Sequence, residues 1–307
     1  MRRKFYPSLF IAAFSCVLFF APVCALEQPP TGERELLEKY HKLEPALADS
    51  YFGIPLYIES NDGNSSLHGD VYGIINHQFE DIEKVIQMPS NWCNIALVHL
   101  NVKTCTYRKL NSAWLLIFYS GRKFYQPPED AYQLKYVFEI AAKQPGYINI
   151  SLKADNGPLS TRDHRIMLEA APLDARRTFI HMSYSYNYGL LAQMAMNGYF
   201  SSLGYGKIGF SITGKDSDGK PVYVTGIRGA IERNSVRYYL AVKAYMDTLA
   251  FPEQERFKRC INLWYDLTDK FPQQLFELEK EDYIKYKTRE YKNQLILQRR
   301  ADEMPSD

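Results

Sequence analysis

The sequence predicts an α+β protein: a curved antiparallel sheet packed against one long helix near the C-terminus, with further helices after it. Three observations predict it. Strand-like segments gather in one block from Ile54 to Thr225 rather than alternating regularly with helices. Within that block, Ile148, Ile150 and Leu152 alternate with Asn149, Ser151 and Lys153, the period of a strand with one buried face. Beyond it, Ile231, Tyr238, Val242, Tyr245 and Leu249 form one stripe of a helix spanning Arg228–Leu249.

The elements follow in order. Gly32–Leu43 reads as a helix opened by Thr31. Ile54–Glu59 and Ser66–Ile75 read as strands around the turn cluster Ser60–Asn64. Phe79–Ile86 is helical, and a second short helix starts at Pro89. Strands are expected over Val98–Tyr107, Ala113–Tyr119, Leu134–Ala141, Tyr147–Ala154, His164–Ala171 and Thr178–Tyr188. Leu190–Leu203 looks helical. Ile208–Ile212 and Val222–Thr225 flank a hairpin turn rich in Gly and Asp. Pro252–Phe271 and Glu279–Arg299 are the last helices, and Ala301–Asp307 is expected to fray. The domain reading is residues 1–25 as a leader, 26–250 as the folded domain and 251–307 as a helical extension.

The leader reading rests on Arg2, Arg3 and Lys4 before an apolar run from Leu9 to Phe20, then Ala21-Pro22-Val23-Cys24-Ala25. That order is a secretory signal with cleavage expected after Ala25, and the run is short of the ~20 residues that span a bilayer. The chain is therefore expected outside the cytoplasm, in the periplasm if the source is bacterial. Removing three cations turns the net charge of +2 into −1. A near-neutral chain gives no electrostatic case for a nucleic-acid partner. Three cysteines remain, and Cys93 and Cys105 are close enough in sequence to suggest a disulfide in an oxidising compartment. Cys260 lies in an apolar helical stripe.

The segment VYGIINHQFEDIEKVIQMPSNWCNI, Val71–Ile95, carries a resemblance. A strand leads into a helix whose apolar face is Phe79, Ile82, Val85 and Ile86, and Asn91-Trp92 opens the next short helix. With the strands and long helix that follow, the stretch from Val71 to Leu249 resembles the helix-grip arrangement of START-related lipid-transfer domains and the wider polyketide-cyclase-like superfamily. It covers about 180 of the 307 residues. The helix at Leu190–Leu203 and the two C-terminal helices are additions to that pattern. The resemblance implies a cavity between sheet and long helix that carries a lipid or other hydrophobic small molecule, with no cofactor.

Candidate ligand contacts follow from residue type and register. Tyr184, Tyr186 and Tyr188 alternate on one strand face with Ile180 and Met182, as a pocket wall with hydroxyls or as an aromatic core. In RGAIERNSVRYY, Arg228–Tyr239, the residues Asn234, Arg237 and Tyr238 turn towards the apolar side. Arg237 then offers a fork for a headgroup or carboxylate, or joins a structural network with Glu169 or Asp163. Arg165, Met167 and Glu169 share one strand face, and Trp92 caps the cavity or anchors its helix. The alternative to carriage is an enzyme on the same scaffold, with Arg165, Glu169, His181 and Tyr184 as acid–base groups. A third reading is an envelope assembly factor that docks a membrane-associated protein through the charged C-terminal helices. His99, Asn101 and Lys103 alternate on an expected strand. The histidines and cysteines lack zinc spacing, and Asp216-Ser217-Asp218-Gly219 lacks the closing Glu of a calcium loop. No nucleophile elbow, P-loop or dinucleotide fingerprint occurs.

Overall fold

The computed structural model describes residues 31–303 apart from Asn64, Ser112 and Leu203. Residues 1–30, which include the expected leader Met1–Ala25, and the last four residues lie outside the described residues. The strands β1 (Leu56–Gly63), β2 (Ser66–Ile75), β3 (Val102–Leu110), β4 (Ala113–Ser120), β5 (Tyr132–Gln144), β6 (Tyr147–Asn156), β7 (Arg162–Pro172) and β8 (Thr178–Asn187) build one antiparallel sheet. Its order is β1-β2-β8-β7-β6-β5-β4-β3. A meander from β3 to β8 is thus joined to the β1–β2 hairpin by the single long-range pairing β2–β8, with Val71 opposite Met182.

Helices α2 (Phe79–Ile86) and α3 (Pro89–Val98) follow β2, and α5 (Gly226–Thr248) crosses the inner face of the sheet. Two glycines in β2 allow that crossing. A Cβ on Gly69 would stand 2.7 Å from the Ser235 hydroxyl, and one on Gly73 would collide with the Tyr239 ring. The Ser235 hydroxyl instead donates to the Gly69 carbonyl at 3.0 Å. Side chains larger than hydrogen at these sites would lift the helix off the strand.

The outer face is covered at one end by α1, which runs from Thr31 to Ala48, longer than its pattern suggests. Leu36, Leu43 and Leu47 lie on one stripe of it and pack on Tyr72, Tyr147, Ala171 and Phe179. The strand β1 also runs further than expected, because pairing with β2 draws the polar stretch Ser60–Gly63 into the ladder. His99 and Asn101 are not on a strand. Helix α3 continues to Val98, so both sit in the connection to β3, while Lys103 lies within it. Cys93 and Cys105 form a disulfide that ties α3 to β3, and Cys260 is buried and free.

A second layer backs the long helix. The hairpin β9 (Ile208–Lys215) and β10 (Pro221–Thr225) forms its own two-stranded sheet, outside the main one, and packs on α5. Helices α6 (Glu253–Thr268), α7 (Pro272–Leu275) and α8 (Lys280–Asp302) complete the layer, after α4 (Leu190–Phe200). The stretch expected as an extension shares the main core: Cys260, Ile261, Trp264 and Tyr283 are buried with Val236 and Leu240 of α5. The Trp264 indole donates to the Arg237 carbonyl at 3.0 Å. Helix α8 covers the edge of β3, where Gln294 accepts from the Cys105 amide and Gln298 bonds both backbone groups of Tyr107. These side chains occupy the place of a ninth strand and satisfy an edge that would otherwise invite pairing with another chain. Residues Ala301 and Asp302, expected to fray, are helical.

Candidate functional site

A half-open pocket of about 770 Å³ lies against the N-terminal half of α5, within the range of small-molecule sites. Ala230, Arg233, Asn234 and Arg237 face it, spaced as one helical stripe. The opposite walls are Tyr199 and Phe200 from the end of α4, and Arg122, Lys123 and Phe124 from the β4–β5 loop. Glu277 and Leu278, between α7 and α8, close the third side.

Each wall is held by local bonds. The Asn101 side chain donates to the Gly121 carbonyl at 2.8 Å while the Asn101 backbone carbonyl accepts from the Gly121 amide, and Lys103 donates to the Phe124 carbonyl at 3.1 Å. The end of α4 is closed by the Gly204 amide bonding the Tyr199 carbonyl at 2.8 Å. Glu277 is the electrostatic centre: Arg237 lies 3.0 Å from it, Lys123 lies 2.6 Å away, and Lys207 also contacts it. Burial opposes the Glu277 carboxylate, yet Arg237, Lys123 and Lys207 outweigh it and hold its pKa down to about 2.

Asn234 and Arg237, among the candidates from sequence, line this pocket. Arg237 pairs with Glu277 rather than with Glu169 or Asp163. The remaining candidates lie elsewhere. Trp92 is in the packed core and donates its indole N–H to the Ile86 carbonyl at 2.6 Å, so it anchors the α2–α3 turn. Met182 is fully enclosed in the core. Tyr184 meets Tyr238 edge-on at 5.7 Å, and Tyr238 stacks on His99 at 4.6 Å. Tyr186 stacks on His164 at 5.0 Å. The tyrosine strand and the arginine helix therefore meet each other, and the open space lies beside their contact rather than between them. Tyr188 leaves the stripe and donates to Asp62 at 2.8 Å.

Arg165 and Glu169 are on the outer face, because Ile166, Leu168 and Ala170 take the inward positions of β7. The four groups considered for acid–base chemistry consequently do not converge: Arg165 is exposed and Tyr184 faces inward. Glu169 and His181 do meet, at 2.8 Å, in an outer-face cluster. The other ring nitrogen of His181 lies 2.7 Å from Asp70, and Tyr147 donates to Glu169. His68 sits 2.8 Å from the second Asp70 oxygen. Burial disfavours the imidazolium of His181, but its bonds to Asp70 and Glu169 prevail and raise its pKa to about 9. Both nitrogens are engaged, so this cluster is an ionic clamp across β2, β8 and β7.

The clamp has a measurable signature. A histidine raised from 6.5 to about 9 contributes stability that is complete below pH 6.5 and is lost as pH rises through 9. The loss should be on the order of 3 kcal/mol. Urea unfolding at pH 6 and pH 9.5 is expected to show that drop in the parent, and His181→Gln should flatten it.

Arg122, Lys123, Phe124, Tyr199, Phe200, Arg233, Glu277 and Leu278 were not singled out by sequence. One signal was present for Arg233. It and Arg237 are four apart on an apolar helix with no acid three or four positions from either. The others come from three separate segments with no shared pattern.

The architecture is the helix-grip arrangement, a long helix laid across a curved antiparallel sheet, here with an arginine-lined pocket beside the helix. No family model matches the chain, and no curated protein does. Similar solved structures include a conserved protein of unknown function from Enterococcus faecalis, with 10% identity, a TM-score of 0.34, and 75% of this chain and 95% of that one covered. Human StAR-related lipid transfer protein 5 shares 12% identity at a TM-score of 0.30, over 55% of this chain and 88% of that one. Norcoclaurine synthase from Thalictrum flavum shares 12% identity at 0.31, over 47% and 91%. At these scores the likeness carries no residue and no activity to this chain. Among the described residues, no helix is long and apolar enough to cross a membrane, and no cluster of His, Cys, Asp and Glu is placed to hold a metal ion.

Proposed function

We propose that this chain is an exported binding protein that carries a hydrophobic small molecule in the pocket beside α5. The observation that carries the reading is the pocket itself: about 770 Å³, with Phe124, Tyr199, Phe200 and Leu278 on its walls. Such a lining removes apolar ligand surface from water at roughly 0.8 kcal/mol per CH₂. Export is supported by the basic and apolar order of residues 1–25, with cleavage after Ala25. The Cys93–Cys105 bridge suits an oxidising compartment.

Native mass spectrometry of protein from the source organism tests both parts. The expected product begins at Leu26 and carries excess mass that organic solvent extracts. Ala230→Phe, which fills the pocket from the helix side, should abolish the excess mass. A product beginning at Met1 refutes export. A protein of bare mass that takes up no acyl probe refutes carriage.

A further inference from the structure

Positive charge at the pocket exceeds what the protein neutralises. Lys123, Lys207, Arg233 and Arg237 converge there, and Glu277 is the carboxylate among them. Glu277 is already shared by Lys123, Lys207 and Arg237. Arg233 is only 4% exposed, and its hydrogen bond among the described residues runs from Nη1 to the Ile208 carbonyl at 3.0 Å. Its neighbour Glu232 is turned away, accepting from the Phe210 and Ser211 amides at 2.6 and 2.9 Å. Arg237 in turn has a buried Nε with no acceptor among the described residues.

A guanidinium withdrawn from water with no carboxylate in ion-pairing reach is disfavoured, and a second one a helical turn away adds repulsion that the more distant charges of Glu277 and Glu232 offset only in part. Burial and the charge of Arg237 accordingly push Arg233 down to about 10. An arginine fork is suited to the paired oxygens of a carboxylate or phosphate. The walls beside it are Phe124, Tyr199, Phe200 and Leu278, which no free inorganic anion would require.

We infer that the ligand of this pocket is an amphiphilic acid, whose carboxylate or phosphate is held by Arg233 with Arg237 alongside and whose apolar body lies on Phe124, Tyr199, Phe200 and Leu278. The inference rests on the carriage reading above and adds the ligand's charge to it.

The test uses the full mature chain, delipidated, with dodecanoate, 1-dodecanol and inorganic phosphate as probes below their aggregation limits, read by calorimetry. Dodecanoate is expected to bind at least tenfold more tightly than dodecanol, about 1.4 kcal/mol, and phosphate far more weakly than either. Arg233→Gln should remove most of the preference for dodecanoate over dodecanol. The same variant, ligand-free, should melt at or above the temperature of the parent, because it removes a buried charge that has no ion-pair partner among the described residues. A merely structural arginine would lower it. Arg233→Lys retains the charge without the fork and should keep part of the preference.

Equal affinity for dodecanoate and dodecanol overturns the charge inference and leaves carriage standing. Failure of both to bind overturns the two together. Phosphate binding as tight as dodecanoate overturns the amphiphile in favour of a free oxyanion. A preference for dodecanoate that survives intact in both Arg233 variants overturns the role of Arg233.

Discussion

Glu290→Gln is expected to destabilise the protein by about 3–5 kcal/mol at pH 7, the scale for removing one partner of a buried ion pair. Glu290 is wholly buried on α8 and lies between two buried lysines, with Lys103 at 2.9 Å and Lys287 at 2.7 Å. Lys287 also donates to the His99 and Val102 carbonyls at 2.7 and 2.8 Å, so it closes the start of β3 as well. Burial pushes the Lys287 ammonium down to about 7 even with Glu290 present, and lowers Lys103 as well. Without Glu290 both cations lose their counter-charge. A buried lysine costs stability while it is protonated, so loss of its counter-charge matters below the pKa it has in the folded parent and no longer above it, where parent and variant both bury it neutral. The deficit of the variant against the parent should therefore shrink between pH 7 and pH 9.5. Urea midpoints at the two values check it. A deficit that stays constant or grows would mean that the lysines are not the cause.

The same contacts explain why removing the C-terminal helices would not isolate a docking surface. Truncation at residue 278 takes away Tyr283, Lys287, Gln294 and Gln298 together, exposes core and bares the edge of β3. Loss of soluble, folded protein is the expected result.

Glu277→Gln should be the second large effect. Two positions along from α7, this carboxylate is 4% exposed and joins cations from the β4–β5 loop, from Lys207 before β9 and from α5. Its pKa of about 2 lies below the ordinary 4.5. A depressed carboxylate contributes stability that is present above pH 4.5 and is lost as pH falls towards 2. The difference corresponds to roughly 3 kcal/mol. The parent should lose about 2 kcal/mol of that increment on acidification from pH 6 to pH 3, and Glu277→Gln should already lack it at pH 6. Denaturant titrations at both values decide the matter. A variant as stable as the parent at pH 6 would show that Glu277 does not hold the three cations.

Much of this fold was readable in the sequence, and the misses have particular causes. Helix α2 was legible because Phe79, Ile82, Val85 and Ile86 recur at helical spacing and all four are buried. Strand β6 was legible because Ile148, Ile150 and Leu152 alternate with Asn149, Ser151 and Lys153. Strand β1 ran past its apolar residues because backbone pairing with β2, not side-chain pattern, carried Ser60–Gly63 into the ladder. Helix α5 was seen, but its polar residues were hard to place. It is enclosed on both sides, by the sheet and by a second layer, so Arg233, Arg237 and Glu232 are buried where a single stripe would leave them wet.

For the candidate site, Asn234 and Arg237 were reached from an arginine-rich cluster in an apolar helix. Arg165 and Glu169 were placed in the wrong compartment. Residue alternation tells which side chains share a face, and only packing tells which face looks inward.

Sequence alone determined the order and type of the elements, the leader-like start and the unusual density of charge on one helix, because periodicity and composition are properties of neighbouring residues. Tertiary structure decided that α8 seals the β3 edge, that Tyr184 and Tyr238 fill the space expected to be open, and that the pocket forms from five separate segments, Asn101 among them. Those outcomes depend on which surfaces meet across long separations in the chain, and burial free energy is set by that meeting rather than by any local pattern.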